Sequence, residues 1–266
     1  MKNILESFRL DGKTALITGG SDGIGKILAM NLAQAGAKIC INGRSTEKLA
    51  KAKKEFGDLG IDVFTIAFDV GVENQVSESI DILKDNIGPI DILINNAGIT
   101  HRVPILDMEM DDFKRVLDIN LVSAFMVSKK IVPDMIKKGG GKIINICSLM
   151  SRYGRNSVSA YAAAKGGLKM LTRNMCVEWA KHNIQVNGIA PGYIKTALTR
   201  EFTGKDHPFN KLVMSRTPAG RWGDAEDLCG TAILLSSRAG DFVNGQIIYV
   251  DGGITANFGY LENEHN

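Results

Sequence analysis

The chain has 266 residues, with 32 basic and 29 acidic side chains and a formal net charge of +3. That length suits one α/β domain with a full core, and the near-balanced charge, with no basic run interleaved with aromatics, speaks against a nucleic-acid partner. Hydrophobic residues make up 44%, yet no apolar run approaches the ~20 residues of a membrane span.

Met1 to Asp11 carries both charge signs and no apolar core, so no signal peptide is expected. Thr14-Ala15-Leu16-Ile17-Thr18 is a short apolar run, predicted as a buried strand. Gly19-Gly20-Ser21-Asp22-Gly23-Ile24-Gly25 follows, then a helical pattern to about Gln34. Strand, glycine-rich turn and helix in that order form a phosphate cradle: glycines let the backbone approach a pyrophosphate, and the helix N-terminus favours the anion. The spacing is G-x-x-x-G-x-G rather than the commoner G-x-G-x-x-G. The second strand, Ala37 to Asn42, runs into Gly43-Arg44-Ser45. It lacks the carboxylate that takes a bare ribose diol in NAD-binding sheets. Arg44 can pair with a 2′-phosphate, with Ser45 donating beside it. Asp22 opposes this, as a carboxylate in the glycine turn. The balance predicts NADP in preference to NAD.

Glu47 to Phe56 is predicted helical and Asp62 to Phe68 a strand, with Asp69-Val70 at its end beside the adenine. Glu73 to Asn86 is helical. Ile90 to Ile94 is a strand ending in Asn95-Asn96-Ala97-Gly98, small residues that suit close approach to a ligand. Met110 to Lys138 reads as one long helix, interrupted near Pro133. Within it Asn120 lies between apolar Ile119 and Leu121. A buried Asn needs partners, so Asn120 either fixes a bend or holds a water between Lys165 and solvent.

Lys142 to Cys147 is the next strand, and Ser148 stands at its C-terminal end, where open parallel sheets bind ligands. The following helix carries Tyr161 and Lys165, four apart and so on one face. A free Tyr has a pKa of about 10 and must fall by roughly 2–3 units to exchange protons near neutrality. An ammonium within ~4–6 Å moves it that way. Taken alone, Tyr-x-x-x-Lys is also an ordinary helix face. Ile184 to Ala190 is a sixth strand, ending in Pro191-Gly192. Tyr193 to Trp222 is a polar excursion, with few apolar anchors over Thr196 to Phe209, and is expected to be a substrate lid. Asp224 to Ser236 is helical and Phe242 to Asp251 the last strand. Cys40, Cys147, Cys176 and Cys229 are scattered through apolar segments and fit reduced interior thiols, not disulfides or a metal site; the expected compartment is the cytoplasm. The expected fold is a single α/β domain: a doubly wound, seven-stranded, mostly parallel sheet with helices on both faces.

These motifs resemble, in order, the short-chain dehydrogenase/reductase family over about residues 8–253. The resemblance rests on Thr18-Gly19 through Gly23-Ile24-Gly25, Asp69-Val70, Asn95-Asn96-Ala97-Gly98, Asn120, Ser148, Tyr161 with Lys165, and Pro191-Gly192. It implies a Rossmann-like fold and NAD(P)-dependent oxidation or reduction at a CH–OH carbon. Tyr161 would be the acid/base, Lys165 would hold the nicotinamide ribose and lower the Tyr pKa, Ser148 would orient the substrate oxygen, and Asn120 would support a proton relay. Gly19, Ser21, Ile24, Asp69, Asn96 and Thr196 would surround the dinucleotide, and Ile194 would present its backbone to the carboxamide. Family members are commonly tetramers, so a homotetramer is implied.

Ala97 to Pro104, Ile146-Cys147-Ser148, Gly154-Arg155, Gly192-Tyr193, Arg216 to Gly223 and Phe242 to Gly245 are similar, more narrowly, to family members that interconvert D-gluconate and its 5-keto form. An anionic sugar acid is the implied substrate, and Arg102 and Arg155 are the guanidiniums expected at its carboxylate. Relatives often carry Glu where this chain has Arg152. The alternatives are a 2-keto-3-deoxy sugar acid, a 3-oxoacyl group, or a non-catalytic dinucleotide sensor.

Overall fold

Successive strand residues face opposite sides of a sheet, and here that alternation divides the core in two. Ala15 and Ile17 belong to one buried cluster, and Leu16 between them belongs to the other. The same split separates Ile39 and Ile41 from Cys40, and Ile92 and Ile94 from Leu93. Both faces are apolar because both are covered, as a parallel sheet requires.

The computed structural model describes residues 3–197 and 199–257. Its strands are β1 (Thr14–Ile17), β2 (Lys38–Gly43), β3 (Val63–Ala67), β4 (Ile92–Asn95), β5 (Gly141–Ile146), β6 (Ile184–Pro191) and β7 (Ile247–Val250). They form one sheet in the order β3-β2-β1-β4-β5-β6-β7, and every pair is parallel. The helices are α1 (Gly23–Gln34), α2 (Thr46–Asp58), α3 (Glu73–Ile87), α4 (Met110–Leu117), α5 (Ser123–Lys138), α6 (Ser159–Trp179), α7 (Pro208–Arg216) and α8 (Cys229–Ser236). Residues of α1, α2 and α8 pack into one cluster, and residues of α3, α5 and α6 into the other. The order reverses between β1 and β4, so a crevice opens above their C-terminal ends. Among the described residues no helix is long and apolar enough to cross a membrane. The four cysteines are free thiols, three of them buried.

Three expectations need correction. The long helix does not break near Pro133, which lies inside α5. It is interrupted by a π turn at Asp118–Val122, centred on Asn120. The last strand is shorter than Phe242 to Asp251. Phe242 is fully exposed, and residues 243–246 form a turn clamped by Asn187. Asn187 Nδ2 donates to Val243 O at 2.7 Å and its Oδ1 accepts from Gln246 N at 3.0 Å. Finally, Tyr193 to Trp222 is not simply polar: within it, the few apolar residues of Thr196 to Phe209 include Phe202 and Phe209, which are anchored by other rings. The segment contains a 3₁₀ turn (Arg200–Phe202), α7, and an aromatic cluster of Tyr193, Phe202, Phe209 and Trp222.

A polar ladder crosses the apolar interior beneath the crevice. Asn95 Nδ2 donates to Ser128 Oγ (3.1 Å) and to Asn145 Oδ1 (2.8 Å), and Asn145 Nδ2 donates to Thr172 Oγ1 (2.9 Å). All four residues are buried. Such a chain fixes β4, β5, α5 and α6 in one register, because a shifted register leaves buried amides unpaired. Asn145→Val keeps the volume close but strands its partners; the expected loss is about 1–3 kcal/mol. Urea unfolding with an unchanged slope would show it, and an unchanged midpoint would remove the ladder from the stability argument.

Candidate active site

The crevice is held open by side chains bonded to backbone at the strand exits. Thr18 Oγ1 accepts the N–H groups of Asn96 (3.0 Å) and Ala97 (3.1 Å), and donates to Ile94 O (3.4 Å). Asn96 Nδ2 donates to Thr18 O and Gly19 O, both at 3.0 Å. Asn96 therefore braces the glycine turn from below. Asn42 does the same from the other side: Nδ2 reaches Phe68 O at 2.9 Å, and Oδ1 accepts from Gly19 N at 3.4 Å. Gly19 has φ +62°, and a Cβ there would lie 3.0 Å from Ala97 Cα. A Cβ on Gly25 would lie 2.4 Å from Asn96 Nδ2 and from Gly19 O. Only glycine fits this bracing.

The other predicted dinucleotide residues line the same exits. Asp22 caps α1, its carboxylate accepting from Gly23 N at 2.7 Å. That bond spends part of its charge on the helix. Ser21 lies against Gly43, where a Cβ would be 3.0 Å from Ser21 Oγ. Arg44 follows directly and sits 3.7 Å from Asp69 Oδ2, with its side chain 55% exposed. Ser45 caps α2 by accepting from Lys48 N at 3.2 Å. Asp69 also holds Gly71 N at 2.9 Å, and Val70 is buried beside it. Pro191 ends β6, and Gly192 N–H donates to Val250 O at 2.9 Å. Thr196 Cγ2 would be 4.0 Å from a Cβ on Gly23, which brings the start of the 193–222 segment over the glycine turn. Ile194 is buried and bridged in parallel to Gly223 through its neighbours: Gly223 N donates to Tyr193 O and Lys195 N to Gly223 O. Its own N–H therefore points away from Gly223. Ile24, in the first turn of α1, packs against the core.

The side chains expected to be catalytic come together at the exit of β5. Ser148 caps a short 3₁₀ turn, its Oγ accepting from Met150 N at 3.1 Å, and its hydroxyl is near enough to the Tyr161 phenol to favour the phenolate. Burial pushes the Tyr161 phenol up; the Ser148 hydroxyl and the Arg155 charge oppose this, while Cys147 adds to the rise. Lys165 is buried, and its Nζ donates to Ile146 O at 2.6 Å. The ammonium stands 5.7 Å from the Tyr161 ring centroid. Burial pushes Lys165 down to about 8. The expectation that Lys165 holds the phenol down is therefore corrected. The ammonium is turned to a backbone carbonyl, and desolvation dominates at the Tyr. Cys147, next to Ser148, is pushed up to about 11 by burial and stays a neutral thiol.

Asn120 is buried in the π turn. Its Nδ2 donates to Ile99 O (2.8 Å) and Val116 O (2.9 Å), and its Oδ1 has no partner. A Cβ on Gly98 would lie 2.7 Å from that oxygen. The extra residue of a π turn re-aims a side chain, a device common at functional sites. Here it ties α4 to the loop after β4.

Arg102 and Arg155, the guanidiniums expected at the substrate carboxylate, come from the loops after β4 and β5, joined by a backbone bond from Val103 N to Ser157 O at 3.1 Å. Their guanidiniums lie over the Phe202 and Phe209 rings. Arg152 stands apart from this pair, near the Tyr153 and Tyr249 rings. Residue spacing did not reveal the aromatic cluster; four rings in an otherwise polar stretch were the available signal. Nor did it reveal Thr18, Asn42 and Asn96 as braces, since each bonds backbone that is remote in sequence.

A short chain dehydrogenase family model matches residues 13–207. The chain belongs to the short-chain dehydrogenases. These are NAD(P)-dependent enzymes acting on a CH–OH group. The chain is 53% identical to a 2-dehydro-3-deoxy-D-gluconate 5-dehydrogenase of Formosa agariphila, over 98% of this chain and 99% of that one. It is 44% identical to the gluconate 5-dehydrogenase of Gluconobacter oxydans, over 93% and 96%. A crystal structure of a gluconate 5-dehydrogenase from Burkholderia cenocepacia, in complex with NADP and tartrate, is 48% identical with a TM-score of 0.91, covering 96% of this chain and 100% of that one.

Burial of Lys165 has a measurable cost. Below pH 8 both the folded and the unfolded chain hold its proton, and the full penalty is present. Between about 8 and the ordinary 10.5 the unfolded chain still binds a proton that the folded chain has released, so stability rises with pH. The rise is roughly 3 kcal/mol at 1.36 kcal/mol per pH unit. Lys165→Met should lack it. Apo unfolding measured from pH 7 to 10 should show the wild type gaining on the variant; parallel curves would place the Lys165 pKa near its ordinary value.

Proposed function

We propose that this short-chain dehydrogenase is an NADP-preferring oxidoreductase on sugar acids that interconverts D-gluconate and 5-keto-D-gluconate. The observation that carries the reading is the Ser148–Tyr161 pair at the exit of β5, where the phenol also feels the Arg155 charge. The Gluconobacter and Burkholderia relatives support gluconate, and tartrate in the latter is a small hydroxy acid. The Formosa relative favours a second reading, 2-dehydro-3-deoxy-D-gluconate. Both substrates carry a C1 carboxylate and react at C5, so the roles of the residues are the same.

The residues present fit a dinucleotide: a glycine turn with no room for side chains, at a helix N-terminus, at the switch point of the sheet. When bound, the nicotinamide supplies or accepts the hydride. Gly19, Ser21, Gly23, Ile24 and Gly25 surround the pyrophosphate, and Asp69, Val70, Asn96, Ala97 and Gly98 the adenosine side and the floor. Pro191, Gly192, Ile194 and Thr196 close over the nicotinamide end. Arg44 takes the 2′-phosphate, with Ser45 beside it.

For reduction, the neutral Tyr161 phenol gives its proton to the substrate C5 oxygen while Ser148 holds that oxygen; for oxidation the phenolate takes it back. Lys165 holds the ribose and passes a proton onward. The unpaired Asn120 Oδ1 anchors the water that completes the relay. Arg102 and Arg155 bind the carboxylate, and residues 193–222 act as the lid. Exposed Met110 on α4, Phe125 on α5, and Met170 and Val177 on α6 offer an apolar face to a second copy, in keeping with a homotetramer; light scattering of the purified protein would decide it.

A turnover panel of hydroxy and keto sugar acids with both cofactors tests the reading. D-gluconate or its 3-deoxy-2-keto relative should lead, and no turnover of any sugar acid would reject it. Tyr161→Phe should abolish turnover while nucleotide binding stays within about twofold. Because burial holds the phenol protonated, ketone reduction should be flat near neutrality and alcohol oxidation should climb with pH.

Cofactor choice is a narrower contest than the sequence suggests, since Asp69 competes for the same guanidinium. An exposed, shared arginine contributes about 1 kcal/mol, or roughly fivefold. NADP should lead NAD in kcat/KM by about that factor, and Arg44→Asp should reverse the order. Wild-type preference for NAD would show that Asp22 and Asp69 outweigh Arg44.

A further inference from the structure

Two arginines of the framework place their guanidinium carbons over two rings of the 193–222 segment. The Arg102 guanidinium carbon is 4.7 Å from the Phe202 centroid, and that of Arg155 is 5.1 Å from the Phe209 centroid. The two rings are themselves in edge contact at 5.6 Å, and Phe209 also meets Tyr193 at 5.4 Å and Trp222 at 6.1 Å. Trp222 is buried, and its Nε1–H donates to Asn210 Oδ1 at 2.7 Å, which fastens the cluster to α7. On the other side, the Val103–Ser157 backbone bond fastens the two arginine loops together. Two braced units therefore meet through two cation–π contacts.

The chemistry of that contact is selective. Arg9, Arg44 and Arg221 face Asp11, Asp69 and Asp227. Arg102 and Arg155 form no ion pair with any carboxylate among the described residues. A ring takes the face of a guanidinium, whereas its five N–H donors lie in the plane and point outward. A guanidinium stacked on a ring has its plane fixed, loses water from one face and keeps the fork free. A carboxylate is bound by that fork, edge-on.

We propose that Phe202 and Phe209 are positioning residues that hold Arg102 and Arg155 edge-out for the substrate carboxylate, so that the 193–222 segment is a two-point clasp selective for anionic substrates; this rests on the sugar-acid reading above. Seating the rings orients the forks, and a carboxylate in the forks holds the rings seated. The coupling is reciprocal, as any linkage between two sites must be. The Arg155 arm reaches further, because its charge acts on Tyr161.

The test compares D-gluconate with its neutral amide, by KM or, without turnover, by Ki. Phe202→Leu keeps the packing and loses the π face. It should raise KM for D-gluconate about 3- to 10-fold, with much smaller changes in kcat, in KM for NADP(H) and in amide binding. Phe202→Tyr, which keeps the face, should restore KM. Arg102→Ala should cost less in the Phe202→Leu background than alone, the signature of a coupled pair. Phe209→Leu should also move the pH profile of oxidation upward, which Phe202→Leu should not. Equal losses for acid and amide, or additive effects of Phe202→Leu and Arg102→Ala, would overturn the clasp and leave the sugar-acid reading standing. Unchanged KM for every sugar acid in both Arg102→Ala and Arg155→Ala would overturn the two together.

Discussion

The site depends on one constraint: the exits of β1, β2 and β4 must stay apart at a place where their backbones lack sheet partners. Thr18, Asn42 and Asn96 meet it with side-chain bonds to backbone. An unpaired buried backbone group costs about as much as a lost hydrogen bond, so a crevice at a switch point tends to close. These three side chains satisfy the freed groups in the open geometry instead. Gly19 and Gly25 are required by the same bracing, since a Cβ at either would strike Asn96 or Ala97. The glycine turn is thus shaped from beneath by the protein as much as from above by any ligand.

Most of the fold was legible because its signals are local. Each strand is a short apolar run, and each face of the sheet is covered, so periodicity and order suffice. Tyr161, Lys165 and Ser148 were legible for a similar reason: one helix turn and one strand end place them. The rest depends on contacts between residues far apart in the chain. Asn96 is expected beside the dinucleotide, but its bracing of the glycine turn is not legible, because its partners lie some 77 residues away. The helix break was assigned to Pro133 because proline is the local signal. The actual break follows Asn120, whose amide reaches Ile99 O across a gap of 21 residues. The aromatic cluster was overlooked because its members are single rings in polar surroundings, and only the folded chain brings them together.

The direction of the Tyr161 pKa shows where local chemistry falls short. An ammonium four residues along a helix suggests a depressed phenol. The folded chain buries both groups and gives the ammonium a carbonyl to bond at 2.6 Å. Desolvation then raises the neutral acid and lowers the cation, each toward its uncharged form. The pair is set with a protonated phenol and a lysine close to releasing its proton. A donor loaded at neutral pH, with a second group able to reload it, is the state that ketone reduction needs.

Charge is handled by the same logic across the crevice. A net charge of +3 conceals four cations around it, held by three kinds of neighbour. Lys165 is held by a backbone carbonyl, Arg44 loosely by Asp69 at 3.7 Å, and Arg102 and Arg155 by rings. A carboxylate partner would fix a cation more firmly and would also neutralise it, occupying the fork that an anionic ligand must use. A carbonyl or a ring fixes position while leaving the formal charge unspent. At exposed Arg44, where solvent screens the loss, an acidic partner is tolerated. Lys165, Arg102 and Arg155 have no carboxylate partner among the described residues, and their positive charge remains available to an anion.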